Sequence, residues 1–113
     1  MHEYSVVQAL LEQCESEARK AGASRVLKIS VKVGKMSGVE PKLLQSAYSV
    51  FSEDSFCKGA VLEITRQNVI ARCEKCGEES EIADTRYICP VCGDERLKVI
   101  DGDSLILMRL EAE

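Results

Sequence analysis

Four of the six cysteines in this 113-residue chain occur as two closely spaced pairs in its C-terminal half. Cys73 and Cys76 lie in the segment C-E-K-C-G, and Cys89 and Cys92 follow a twelve-residue spacer in the segment C-P-V-C-G. Each C-x-x-C pair lets two thiolates reach one ion from a tight turn, and the glycine after it suits a turn position with positive φ. The spacing therefore predicts one tetrahedral four-cysteine metal site, with structural zinc as the preferred ion.

Disulfide bonds and a redox-active iron centre are the alternative uses of these cysteines. The N-terminal segment is acidic and amphipathic, without the basic region and cleavage site of a signal peptide, so we expect a cytoplasmic location in which disulfides are rare. Iron also accepts four thiolates. A redox iron centre needs an apolar shell, however, and Tyr87 is the single aromatic residue of the segment 69–103. Rubredoxin-like iron remains the alternative to zinc.

The chain has one histidine, His2, and this excludes most catalytic arrangements. A Ser/His/Asp triad, a Cys/His dyad or a histidine-rich zinc site cannot be built away from residue 2. Four thiolates also leave no open position on the metal for water. We therefore expect that the protein is not an enzyme. Cys14 and Cys57 lie far from the cysteine pairs, and Cys14 is expected to act as a small buried apolar residue.

Hydrophobic periodicity predicts two helices and three strands outside the cysteine-rich segment. The expected helices are Tyr4–Lys20 and Pro41 to about Asp54, and the expected strands are Arg25–Val33, Ala60–Thr65 and Leu105–Leu110. The residues expected to face inward are Val6, Val7, Leu10, Leu11, Cys14, Ala18, Leu27, Ile29, Val31, Val33, Leu43, Leu44, Ala47, Tyr48 and Phe51.

This order of elements predicts an α+β fold, namely a small domain of two helices and a three-stranded sheet with an inserted four-cysteine zinc-ribbon module. The expected domains are residues 1–68 with 104–113, and residues 69–103. The inserted segment is too short to bury a large core, so we expect its metal to supply most of its folding free energy, on the order of 10 kcal/mol or more.

Charge is distributed unevenly between these two parts. Residues 69–103 contain five basic and nine acidic residues, which accounts for the whole net charge of −4. A ribbon that binds nucleic acid is expected to be basic and to carry stacking aromatic residues. No run of about 18 apolar residues is present in the sequence. We therefore expect neither a nucleic-acid nor a membrane partner, and a protein-docking surface instead.

The extreme N-terminus, Met1-His2-Glu3, is a possible second metal site. The α-amine, the His2 amide nitrogen and the His2 imidazole can close adjacent chelate rings around Ni(II) or Cu(II), which favour tetragonal nitrogen and oxygen ligands. The Glu3 amide or a carboxylate can supply a fourth ligand. The alternative is an exposed terminal histidine that has no role.

The segments MHEYSVVQALLEQCE, VKVGKMSGVEP and GAVLEI, followed by C-x2-C-x12-C-x2-C, resemble in order the hydrogenase maturation nickel metallochaperones of the HypA/HybF family. The resemblance implies a non-catalytic protein that delivers Ni(II) to the precursor of a [NiFe]-hydrogenase large subunit, together with a GTP-hydrolysing nickel chaperone, and in some organisms to urease. Its implied nickel ligands are Met1, His2, Glu3 and, before the second helix, Glu40.

The zinc ligands that the resemblance implies are Cys73, Cys76, Cys89 and Cys92. Some members of the family carry histidines beside these cysteines, and this chain has none. A pH-dependent exchange of zinc ligands is therefore not expected here. The alternative function is a zinc-ribbon adaptor that docks a protein and transfers no nickel.

Overall fold

The computed structural model describes residues 2–82 and 87–113, apart from the side chains of His2 and Glu3. A single 3-10 turn, Ser52–Asp54, follows the second helix. The helices and strands, in chain order, are α1 His2–Lys20, β1 Val26–Gly34, α2 Pro41–Phe51, β2 Val61–Gln67, β3 Val69–Cys73, β4 Glu79–Ile82, β5 Leu97–Asp101 and β6 Leu105–Ala112. In the described part of the chain, neither helix is long and apolar enough to cross a bilayer.

The first sheet has the strand order β2-β1-β6. β1 runs parallel to β2, with Ile29 opposite Leu62, because α2 forms the crossover between them. β6 runs antiparallel on the other side of β1, with Val31 opposite Leu107. The last strand of the chain therefore completes a sheet that begins at residue 26. This arrangement confirms the predicted two-helix, three-stranded unit.

Alternating residues of β1 and the apolar stripes of both helices form the main core. Apolar burial of this kind is the largest favourable contribution to folding. Tyr48 is buried in this core and donates a hydrogen bond from its hydroxyl to the Ala60 carbonyl at 2.7 Å. The buried members are Val7, Leu10, Leu11, Cys14, Ala18, Val26, Ile29, Val31, Val33, Leu44, Ala47, Tyr48, Cys57, Ala60 and Leu62.

Two residues that the sequence places in the core are exposed. The side chain of Leu27 is 38% exposed, because a register shift between β1 and β6 at this point turns Val26 inward in its place. The side chain of Leu43 is 55% exposed, whereas its neighbour Leu44 is fully buried. The buried face of α2 is formed by Leu44, Ala47 and Tyr48, and Leu43 lies outside it, so the prediction for Leu43 was wrong.

The segment between β2 and β6 forms a second three-stranded sheet, in the order β4-β3-β5. Both pairings are antiparallel. Its small core consists of Val69, Ala71 and Ile82, and Leu97 and Val99 pack against it. These strands were not predicted from the sequence.

The two sheets join where the chain passes from β2 to β3 and returns from β5 to β6. The Gln67 side-chain amide donates to an Asp101 carboxylate oxygen at 2.9 Å, and this hydrogen bond lowers the pKa of Asp101. A Cβ atom on Gly34 would meet the backbone of Gly102, and one on Gly102, which has φ +90, would meet the backbone of Asn68 and Val69. The division into domains 1–68 with 104–113 and 69–103 stays a prediction.

Candidate metal sites

The four cysteines of the two C-x-x-C pairs converge on one point. The Sγ atoms of Cys73 and Cys92 are 3.5 Å apart, those of Cys76 and Cys89 are 3.6 Å apart, and all four lie within 4.8 Å of one another. A tetrahedron of sulfur atoms about 2.3 Å from a central zinc ion has edges of about 3.8 Å. The sulfur positions therefore match a tetrahedral four-thiolate site. Among the side chains described, this is the one such group.

Each pair sits in a tight turn with the same hydrogen bonds. In the first turn, the Gly77 N–H donates to the Cys73 carbonyl at 2.9 Å, and the Cys76 N–H points at the Cys73 sulfur at 3.5 Å. Gly77 has φ +79, as the sequence predicted for the position after the second cysteine. The second turn repeats this pattern between Cys89 and Gly93, with φ +78 at the glycine. Two equivalent turns thus present two sulfur atoms each.

These backbone N–H groups favour thiolates at the first position of each pair. The Cys92 N–H lowers the pKa of Cys89 to about 7, and the Cys76 N–H lowers the pKa of Cys73. A hydrogen bond to the charged form stabilises that form, and a thiolate is the form that binds a metal. The local backbone therefore prepares part of the ligand set before an ion arrives.

An ion pair between Asp94 and Arg96 lies next to the second cysteine turn. The Arg96 side chain donates two hydrogen bonds of 2.9 Å to the Asp94 carboxylate, which also accepts from the Arg96 N–H at 2.8 Å. These bonds lower the pKa of Asp94. The Arg96 carbonyl accepts from the Glu74 N–H at 2.8 Å, which ties the second turn to the first. Neither Asp94 nor Arg96 belongs to a recognisable motif. Their position just after the second C-x-x-C-G segment is the only sequence feature that could have indicated them.

The predicted nickel ligands fall at the very start of α1. Met1 and the side chains of His2 and Glu3 lie outside the described residues. α1 begins at His2, and Tyr4 makes an edge-to-face contact with Phe51 of α2, with ring centroids 5.2 Å apart. All three predicted ligands precede Tyr4 in the sequence. Their role as ligands stays a prediction.

Glu40 has a structural role at the start of α2. Its carboxylate accepts a hydrogen bond from the Lys42 N–H at 3.4 Å, and Pro41 occupies the first helical position. This is the arrangement of a helix N-cap. The structure thus accounts for an acidic residue at this position without a metal, and a ligand role for Glu40 also stays a prediction.

Residues 1–112 match the family described as hydrogenase/urease nickel incorporation, metallochaperone, hypA. The chain belongs to the HypA family. A hydrogenase maturation factor HypA from Shewanella baltica (strain OS185) is 45% identical over 113 residues, which is 100% of this chain and 97% of the relative. One from Aquifex aeolicus (strain VF5) is 39% identical over 113 residues and is covered to 98%.

A solved structure shows the same fold. The solution structure of the Ni metallochaperone HypA from Helicobacter pylori superposes with a TM-score of 0.75 at 31% identity, over 97% of this chain and 96% of that one. The resemblance to the HypA/HybF family is therefore confirmed, and so is the α+β fold class with its clustered cysteines. The chain is a nickel metallochaperone of hydrogenase maturation, and the zinc-ribbon adaptor without nickel transfer is not favoured.

Proposed function

We propose that this chain binds Ni(II) at its N-terminus and releases it to the precursor of a [NiFe]-hydrogenase large subunit. The observation that carries this proposal is the match to nickel metallochaperones along the whole chain. It is supported by the sequence, in which the only histidine, His2, is also the first residue of α1. The protein carries an ion and catalyses no reaction of its own.

The proposed nickel ligands are the Met1 amine, the His2 amide nitrogen, the His2 imidazole and a donor from Glu3. Ni(II) favours such a tetragonal set of nitrogen and oxygen ligands. The first four N–H groups of an α-helix have no partner within the helix. The His2 amide can therefore bind the ion without the loss of a helical hydrogen bond, and the chelate is compatible with α1 as it stands.

The position of the site at a chain end suits a protein that must give up its ion. The positive end of the helix dipole opposes a bound cation, and a deprotonated amide together with the Glu3 carboxylate offsets this effect. A chain terminus is also poorly preorganised, which limits affinity. Such a site is easily presented to a receiving protein. Glu40 is the proposed additional ligand, in competition with its N-cap role.

We propose zinc as the ion of the four-cysteine site, where it has a structural role. Four thiolates in tetrahedral positions are typical of structural zinc and leave no place for a substrate. The ligands would be Cys73, Cys76, Cys89 and Cys92. Metal analysis of the purified protein should find about one zinc per chain, whereas the visible absorption of a ferric thiolate centre would support the iron alternative.

The partners that follow from this function are a GTP-hydrolysing nickel chaperone and the hydrogenase large-subunit precursor, with urease as a further recipient. A cytoplasmic location is part of the proposal, and cell fractionation tests it. Since residues 69–103 carry all the net negative charge, nucleic acid is not among the proposed partners.

Ni(II) titration of the untagged, metal-loaded protein by calorimetry tests the terminal site. His2→Ala should weaken nickel binding at least tenfold, because it removes the imidazole from the chelate. One residue added before Met1 should have a comparable effect, because it moves the α-amine out of the chelate. The matched control is Gln8→Ala, an exposed position on the same helix, which should leave nickel affinity unchanged.

Two substitutions separate the possible roles of Glu40. Glu40→Gln keeps an oxygen that accepts from the Lys42 N–H but removes the charge, whereas Glu40→Ala removes both. A ligand role predicts weaker nickel binding in both variants, and a purely structural role predicts lower stability in the alanine variant alone. Full nickel affinity in the N-terminally extended protein would contradict the terminal-amine site.

A further inference from the structure

The ion pair of Asp94 and Arg96 lies on a path of hydrogen bonds between the two cysteine turns. The Cys89 N–H donates to the Asp94 carbonyl at 2.9 Å, and the Asp94 carboxylate accepts from the Arg96 N–H at 2.8 Å. The Arg96 carbonyl accepts from the N–H of Glu74, the residue after Cys73, at 2.8 Å. This path joins the first cysteine of one pair to the neighbour of the first cysteine of the other. None of its bonds involves a sulfur atom.

The bonds within this pair are stronger than those of an ordinary surface ion pair. The two oxygens of the Asp94 carboxylate each accept a bond of 2.9 Å from the Arg96 guanidinium, and one of them also accepts from the Arg96 N–H. The Asp94 side chain is only 16% exposed. Exposed ion pairs contribute little to stability, but a bidentate and partly buried pair holds its geometry. The carboxylate therefore fixes the chain between the second turn and β5.

The first cysteine turn has no equivalent of this pair. Glu78 occupies there the position that Asp94 has in the second turn, since the Cys73 N–H donates to the Glu78 carbonyl at 2.9 Å. Among the described residues, however, the Glu78 side chain takes part in no hydrogen bond or ion pair. A C-x-x-C-G turn thus forms without such a carboxylate. The bonds of the Asp94 side chain therefore serve the connection between the two turns and are not needed for the turn itself.

We propose that Asp94 is a positioning residue for the metal cluster and acts through Arg96 to slow the release of zinc. Four thiolates around a divalent ion carry a net charge of about −2, so the negative charge of Asp94 does not by itself favour the cluster. Its benefit comes from position, because release requires one turn to move away from the other and the path from Cys89 to Glu74 resists that movement. The inference rests on the proposed zinc site.

The test is the rate of zinc release from the full-length, zinc-loaded protein to an excess of a colorimetric pyridylazo chelator. Asp94→Ala should release zinc about 10–100 times faster than the unsubstituted protein, as is typical when a residue that holds metal ligands in place is substituted. Asp94→Asn keeps an oxygen for the Arg96 N–H but loses the charge, and should show a smaller increase. Glu79→Ala is the matched control. It breaks the Arg72–Glu79 ion pair of the same sheet, which is not on the path, and should leave the rate unchanged.

A double substitution separates this role from a general loss of structure. Arg96→Ala alone should also speed zinc release. Asp94→Ala combined with Arg96→Ala should be no faster than the faster single variant, because both residues belong to one path, whereas two independent effects would multiply and refute the pairing. The absorption of Co(II) bound at the four thiolates should be the same in every variant. A changed spectrum in Asp94→Ala would contradict the proposal, because the substitution would then have altered the ligand set itself.

Zinc release from Asp94→Ala at the rate of the unsubstituted protein would overturn the proposal, and so would an equal acceleration by Glu79→Ala. If Asp94→Ala does not retain zinc during purification, Asp94→Asn is compared with Glu79→Ala, and equal rates would refute the role of Asp94. The zinc content of the unsubstituted protein is measured first. A zinc-free protein would contradict the four-cysteine zinc site itself, whereas a zinc-loaded protein with unchanged release in the variants would contradict only the role of Asp94.

Discussion

Removal of the metal from the four-cysteine cluster is expected to unfold the second sheet while the first sheet and both helices persist. Apart from the proposed metal ligand Cys73, the described buried apolar residues of the second sheet are Val69, Ala71 and Ile82. Complete burial of a valine or isoleucine side chain contributes about 1.5–3 kcal/mol, so this core supplies about 5 kcal/mol in total. Zinc binding by four thiolates supplies on the order of 10 kcal/mol or more. The metal is therefore the larger contribution to the stability of this sheet.

Amide hydrogen exchange of the metal-loaded and the chelator-treated protein measures this directly. After metal removal, the amides of β3, β4 and β5 should exchange within about tenfold of unfolded-chain rates. The amides of β1, which is paired on both edges, should keep their protection. Cys89→Ala should reproduce this result without a chelator. Cys57→Ala is the matched control, because it removes a buried sulfur from the other core and should leave β3–β5 protected.

Unchanged protection in β3–β5 after verified loss of the metal would refute this reasoning, because the three buried side chains would then suffice. Simultaneous loss of protection in both sheets would refute the expectation that only the second sheet unfolds. The junction at Gln67 and Asp101 would in that case transmit the unfolding, and the expected division of the chain into two domains would be wrong.

Other expectations concern the core, the junction, the terminal site and the charge of the second sheet. Leu44→Ala should destabilise the protein by about 2–5 kcal/mol, and Leu43→Ala by no more than about 0.5 kcal/mol, as measured by urea unfolding. Gly34→Ala should cost about 1–3 kcal/mol in the same assay, because its methyl group would meet the Gly102 carbonyl group. Nickel affinity should fall as the pH drops from about 8 to 6, because the amine and the imidazole must both lose protons to bind, and calorimetry at several pH values would show a flat profile if neither were a ligand. Duplex DNA should show no salt-dependent binding, since residues 69–103 hold all the net negative charge, and a tight complex in a filter-binding assay at physiological salt would contradict this.

The sequence predicted the first sheet and its helices well because their patterns are local. A period of 3.6 in α1 and a period of 2 in β1 are visible without knowledge of any partner strand. The exposure of Leu27 was not predictable in this way. It depends on a register shift opposite Glu111 and Ala112 of β6, more than 80 positions later, and a shift of one residue turns a side chain to the other face.

The same distinction between local and long-range patterns applies to the candidate sites. The cysteine pairs were recognised because the two cysteines of each pair are only three positions apart and need only one turn to face the same ion. Cys14 and Cys57 are buried in the same core, one on a helix and the other in a turn, and no local pattern indicates this. Glu40 shows a third case. Its position before Pro41 correctly predicted the start of a helix. The family resemblance implies a nickel ligand at the same position, so the sequence alone could not separate a helix-capping role from a ligand role.

The order β2-β1-β6 also affects how the chain reaches its fold. β6 can pair with β1 only after the whole segment between β2 and β6 has been synthesised, so the first sheet closes through a long loop. Closure of a flexible loop of this length costs about 3 kcal/mol of chain entropy. When the second sheet forms around its metal, Gln67 and Asp101 come within 2.9 Å, and the ends of β2 and β6 are brought together. Metal uptake would thus help the last strand to find its place beside β1. A shortage of that metal during synthesis would slow the folding of the first sheet and its helices.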